Sequence, residues 1–184
     1  SLGGVECLTA VVSLQVDAFQ LNLDPLRALP RLESLFLGPV PASTPPVLPG
    51  VKSLECAGAP GHGFVSKFPG LTALTIHGVQ SDATPPVPLD LNEVAALSGL
   101  TTLALSNCAL TDISPLSKLT SLSQLDLSAN AITDLAPLVA NTGVGAGDTV
   151  QLGGNDLTCA SQGANIATLR NRGADVSVDI TCSP

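Results

Sequence analysis

The sequence predicts an α/β right-handed solenoid: one parallel sheet of about eight short strands, an irregular or 3₁₀ convex side, and a C-terminal helix–strand cap. Three observations lead there. Between Leu100 and Leu138 one apolar pattern recurs at an offset of 22 residues. Its apolar phase can be followed through most of the chain. Aromatic residues make up only 2% of a sequence that is 45% hydrophobic, as expected where thin, similar layers favour Leu, Val and Ile over rings.

The elements follow in order. Leu2, Val5 and Leu8 precede Val11 with the spacing by which Ile113, Leu116 and Leu119 precede Leu122. Residues 1–10 are therefore expected to be a partial first repeat, with the natural protein continuing upstream or with a worn first turn. Val11, Leu14 and Val16, then Leu32, Leu35 and Leu37, then Val51, Leu54 and Cys56, then Leu71, Leu74 and Ile76, predict four strands whose alternate residues point inward.

The duplicated unit comes next. Leu100, Leu103, Leu105, Cys108, Leu110, Ile113, Pro115, Leu116 and Leu119 reappear as Leu122, Leu125, Leu127, Asn130, Ile132, Leu135, Pro137, Leu138 and Asn141. The spacing L-x-x-L-x-L-x-x-(N/C)-x-L is the leucine-rich-repeat signature. An amide at Asn130, buried after a turn, can satisfy backbone groups stranded by the bend. Cys108 holds that place one repeat earlier, while Phe19, Val40, Ala59 and Val79 hold it upstream. Apolar residues at every third position of Ile113–Leu119 suit a 3₁₀ or extended return rather than a full helix.

After a Gly-rich insertion at Thr142–Gly147, Val150, Leu152, Asn155 and Leu157 form another repeat. Ser161–Arg172 predicts a helix with Ile166 and Leu169 on its inner face and Gly173 at its C-cap. Val176 and Val178 supply a last strand. The whole of 1–184 is then one domain, with repeats over 11–157 and a cap over 158–184. Eight strands about 4.8 Å apart make a sheet roughly 34 Å long. Two proline-rich segments, Pro39–Pro49 and Ala83–Pro88, lie outside the strand pattern and are expected to bulge as stiff loops.

Five cysteines are present. Cys56 and Cys108 fall on inward positions and read as buried thiols. Cys159 directly follows the last Asn-x-Leu and Cys182 directly follows the last strand, so a disulfide between them is expected to clamp the cap and to imply an oxidising compartment. Cys7 is either unpaired or the partner of an upstream residue. No C-x-x-C pair supports a zinc site.

The phrases LTTLALSNCALTDISPLSKL and LTSLSQLDLSANAITDLAPL resemble the bacterial, internalin-like class of leucine-rich repeats. The opening GVECLTAVVSLQV is similar to the repeat that begins such arrays. GVGAGDTVQLGGNDLTC with the following helix and VSVDITC resembles a closure of extracellular bacterial members. The resemblance implies a secreted or surface-displayed bacterial protein that binds another protein without catalysis.

Residues flanking the inward positions would line the concave face, in columns that run from Gln15 through Phe36, Glu55, Thr75, Ala104, Asp126 and Gln151 to Ser177. Flanking columns run from Ser13 to Asp175 and from Asp17 through Gly38, Ala57 and His77 to Asp179. Phe36 is the one large apolar group there. Phe36, Glu55, Thr75 and His77, on adjacent strands, form the expected partner-binding cluster. The competing expectation is a structural spacer with no ligand, since the rest of the face is small and polar. An exposed N-terminal sheet edge raises self-association as a third reading, although a monomer is the expectation adopted.

A net charge of −8 with seven basic residues, none in a run, argues against nucleic acid and anionic membranes and favours a basic or neutral protein partner. No apolar run is long enough for membrane insertion. Only His62, within PGHGF, and His77 could serve as catalytic imidazoles, and no nucleophile, phosphate-loop, zinc or calcium-loop motif accompanies them. No catalytic residue, cofactor or metal is expected.

Overall fold

A computed structural model describes residues 10–17, 22–39, 44–58, 60–78 and 89–180. Eight strands, β1 (Ser13–Val16), β2 (Ser34–Pro39), β3 (Ser53–Ala57), β4 (Ala73–His77), β5 (Thr102–Ser106), β6 (Gln124–Asp126), β7 (Thr149–Gln151) and β8 (Asp175–Ser177), form one parallel sheet in chain order. The L-x-L alternation produces this arrangement. Leu14, Leu35, Leu54, Leu74, Leu103, Leu125, Val150 and Val176 lie in one inward row across the sheet. A second inward row runs Val16, Leu37, Cys56, Ile76 and Leu105. From Leu35 onward both rows are buried, because each layer is covered by the next.

The returns close the layers. Asp24–Ala28, Val65–Lys67 and Ser114–Lys118 are 3₁₀ turns. Two others tighten into single α-helical turns, α1 (Leu91–Ala95) and α2 (Ala136–Ala140), where the sequence suggested only 3₁₀ or extended chain. The Asp90 side chain caps α1 by accepting the Asn92 amide, which supplies the local reason for that helix. Pro25, Pro115 and Pro137 each stand in a first turn, where a missing N–H costs nothing.

The Asn/Cys position carries out the bonding its chemistry allows. Asn130 Oδ1 accepts the amides of Cys108 at 2.9 Å and Leu110 at 3.1 Å, and its Nδ2 donates to the carbonyls of Leu105 and Leu127 at 2.7 and 2.9 Å. Asn155 repeats the pattern with Ile132, Leu127 and Leu152. Cys108 keeps only a donor, its thiol reaching the carbonyls of Ser106 and Ile76. On the return side Asn141 donates to Leu116 and Leu119. The residue before this position turns left-handed in three successive repeats: Asn107 (φ 56°), Ala129 (φ 54°) and Gly154 (φ 70°). Gly78, one repeat before Asn107, lets the backbone of Asn107 approach so closely that an added Cβ would overlap its carbonyl oxygen.

In the cap, α3 (Cys159–Asn171) begins two residues before the expected start, because Thr158 caps it. Ile166 and Leu169 are buried as expected, and Gly173 sits at φ 94° just past its end. Gln162, also buried, accepts the Leu135 amide at 3.0 Å and so ties the cap to the last full repeat. Strand β8 ends at Ser177, one residue before the Val176–Val178 pattern does, with Val178 half-buried beyond it.

One register expectation fails. Ala57 pairs with Pro39 rather than Gly38, because β2 bulges between Leu37 and Pro39. Gly38 is buried against Asp17, and a Cβ there would lie 2.9 Å from Asp17 Oδ1. The extra residue therefore steps out of the ladder. Of the first proline-rich segment, residues 44–48 run without regular structure, with Val47 exposed and Leu48 anchored by its amide to Lys67. Leu2, Val5, Leu8, Cys7, Phe19, Val40, Ala59, Val79, the segment Ala83–Pro88 and Cys182 lie outside the described residues.

Candidate functional site

Because β2 to β4 pair in register, side chains one residue off the inward rows are brought together on the outward face of the sheet. Phe36 stands opposite Glu55, and Glu55 opposite Thr75. His77, two residues beyond Thr75 on the same face, has its Nε2 3.5 Å from Glu55 Oε1 and its Nδ1 3.1 Å from Ser106 Oγ. The four residues singled out from the sequence are thus gathered on three adjacent strands. Phe36, Glu55 and Thr75 are half-buried and His77 is exposed. A Glu–His pair this open to water contributes little to stability. Asp126 is separated from His77 by β5, and its Oδ1 is engaged by the Ser128 amide. The histidine and the two acids therefore do not form a proton relay.

Beside this cluster lies a shallow depression of about 290 Å³, lined by Thr102, Ala104, Gln124, Asp126, Thr149 and Gln151. Its cause is Ala104, whose short side chain sits in the central column between Thr75 and Asp126. The column was legible in the sequence, whereas the hollow was not. The outward columns carry Asp17, Glu55, Asp126, Asp175 and Asp179 and no Lys or Arg among the described residues.

A second grouping, on the return side, had no sequence signal. His62, on a turn between Gly61 and Gly63, has its Nδ1 3.3 Å from Asp90 Oδ2 and 3.5 Å from Glu93 Oε1. Asp90 and Glu93 lie about a repeat later in the chain, beyond the second proline-rich segment, where repeat spacing gives no guide. The Asn92 amide, foremost among its hydrogen-bond donors, holds the Asp90 carboxyl below the ordinary range. Elsewhere burial pushes the Cys56 thiol up to about 12 and the Cys108 thiol to about 11, so the two inward cysteines are free and protonated. No helix among the described residues is long and apolar enough to cross a membrane.

A sheet of stacked L-x-L strands with thin returns defines a leucine-rich-repeat solenoid, and the comparisons agree. The family model described as Leucine Rich repeats (2 copies) matches residues 98–140, the best-preserved pair of units. Among solved structures, the chain is similar to an internalin, InlF, of Listeria monocytogenes, at a TM-score of 0.63 and 19% identity, covering 100% of this chain and 65% of that one. It is similar to the internalin InlC2 of the same organism at a TM-score of 0.64 and 20% identity, covering 95% and 74%. A leucine-rich-repeat protein of Leptospira interrogans matches at a TM-score of 0.59 and 16% identity, covering 96% and 50%. The chain thus spans about two thirds of the internalins and half of the Leptospira protein. A comparison with curated protein sequences finds no match.

Proposed function

We propose that the chain is a non-catalytic protein-interaction module, part of a larger secreted or surface-displayed bacterial protein, that binds its partner through the concave sheet face. The observation that carries this reading is the convergence of Phe36, Glu55, Thr75 and His77 on three neighbouring strands. An aromatic ring beside a carboxylate and an imidazole offers apolar contact and charge within one patch. Acids without a neighbouring Lys or Arg among the described residues of the outward columns favour a basic or neutral partner. The similarity to internalins supports the extracellular setting, as would a Cys159–Cys182 disulfide. The test is capture of a partner by the full-length protein, followed by affinity measurement on Phe36→Ala combined with Glu55→Gln. An unchanged affinity overturns the reading. A structural spacer is the second reading, favoured by the small polar residues of the other columns, and it predicts that no partner depends on this face.

A further inference from the structure

We propose that His62, Asp90 and Glu93 bind a divalent transition-metal ion, Zn²⁺ foremost, which clips two neighbouring returns together on the side of the solenoid away from the sheet. One donor atom from each of the three side chains lies within 4.8 Å of the other two. Zinc bonds of about 2.0–2.1 Å to nitrogen and oxygen place tetrahedral ligands about 3.3 Å apart. The two distances from His62 Nδ1, 3.3 Å to Asp90 and 3.5 Å to Glu93, already have that length. The third separation, between the two carboxylates, lies within 4.8 Å.

The Asp90 donor is also oriented from behind. Asp90 uses Oδ1 to accept the backbone and side-chain N–H groups of Asn92, which leaves Oδ2 turned towards His62. Glu93 Oε1 accepts the Gly63 amide at 2.5 Å, which fixes the turn carrying His62 against α1. Gly63 makes that turn at φ 77°, a conformation that glycine adopts freely. Outer hydrogen bonds of this kind fix ligand geometry in metal sites. A cavity of about 430 Å³, lined by both acids together with Ser66, Pro69, Asn92, Ala96 and Leu97, adjoins the two carboxylates and has room for a water ligand. One imidazole and two carboxylates suit a transition metal, whereas Ca²⁺ seeks six to eight oxygens. The site is independent of the sheet-face reading, since no residue is shared.

The competing occupant is a proton: a His62 imidazolium would pair with both carboxylates at the same distances. Calorimetric titration of the intact chain with ZnCl₂ near neutral pH, beside CaCl₂, separates the two. The metal site predicts one equivalent of Zn²⁺ bound more tightly than Ca²⁺. It also predicts at least about tenfold weaker uptake in His62→Ala, Asp90→Asn and Glu93→Gln, and unchanged uptake in His77→Ala. Asp90→Asn is the decisive variant, because asparagine caps a helix as well as aspartate and the fold should survive. Zn²⁺ should raise Tm by several degrees in the wild type but not in these variants. Absence of uptake up to about 1 mM Zn²⁺, or uptake undiminished in His62→Ala, overturns the proposal and leaves an ion pair.

Discussion

Asn130 Oδ1 accepts the backbone amide of Cys108 at 2.9 Å, so the side chain of one repeat satisfies the main chain of the repeat before it, at the very residue that occupies its own position. The same oxygen takes the Leu110 amide, and the amide nitrogen reaches back to Leu105. Replacing Asn130 by Ala strands these groups in a site that is 8% exposed. Each unsatisfied buried group costs about 1–3 kcal/mol, so Asn130→Ala should destabilise by about 3–5 kcal/mol in urea unfolding. Asn130→Asp should do no better, because it turns an acceptor towards carbonyls. A loss below about 1 kcal/mol would mean that water replaces the amide.

The thiols give a pH dependence of defined sign. Burial, foremost, and then the charge of Glu55 raise Cys56 to about 12, and burial raises Cys108 to about 11, both from 9.0. Raised values mean that the folded chain holds these protons more tightly than the unfolded one. Their stabilising contribution is complete below pH 9 and is lost as pH climbs from 9 through 11 to 12. Iodoacetamide at pH 8 should leave both unmodified in the native protein and label both in denaturant, as read by mass spectrometry. Native labelling at Cys56 would contradict the burial.

Backbone handedness supplies a pair of opposite substitutions. Ala129 pays for a left-handed conformation that Gly154 adopts freely one repeat later. Ala129→Gly should therefore be neutral or stabilising by up to about 1 kcal/mol. Gly78→Ala should be strongly destabilising, by more than about 2 kcal/mol, because its Cβ would overlap the Asn107 carbonyl. Thermal unfolding of the two variants checks both signs at once.

Cys159 opens α3, where a link to Cys182 would hold the cap against the last repeats. Closing a loop of that length contributes about 3 kcal/mol on the chain-entropy view. Mass spectrometry with and without reductant should differ by two hydrogens for this pair, and reduction should lower Tm. Two free thiols at these positions in oxidised protein would end the proposal.

The scaffold was legible because leucine spacing encodes burial directly: an L-x-L pair can satisfy its two leucines only by stacking. The register across β5 to β8 followed from Leu103, Leu125, Val150 and Val176 alone. What escaped depended on contacts that no periodicity records. The bulge at Leu37–Pro39 arises from the closeness of Gly38 to Asp17, and α1 from a cap at Asp90. The sheet-face cluster was legible because neighbours across parallel strands sit one repeat apart. The grouping of His62 with Asp90 and Glu93 was not, since return limbs differ in length and carry no fixed offset.

The backward reach of the side-chain amides gives the array a direction. Asn130 serves Cys108 and Leu110, Asn155 serves Ile132, Asn141 serves Leu116 and Leu119, and Gln162 of the cap serves Leu135. Peeling the chain from its C-terminal end therefore uncovers main-chain groups in the repeat left behind, whereas peeling from the other end uncovers the side-chain amides themselves. Under mechanical load the two ends should yield differently, with rupture of the cap setting off a sequential collapse towards the N-terminus.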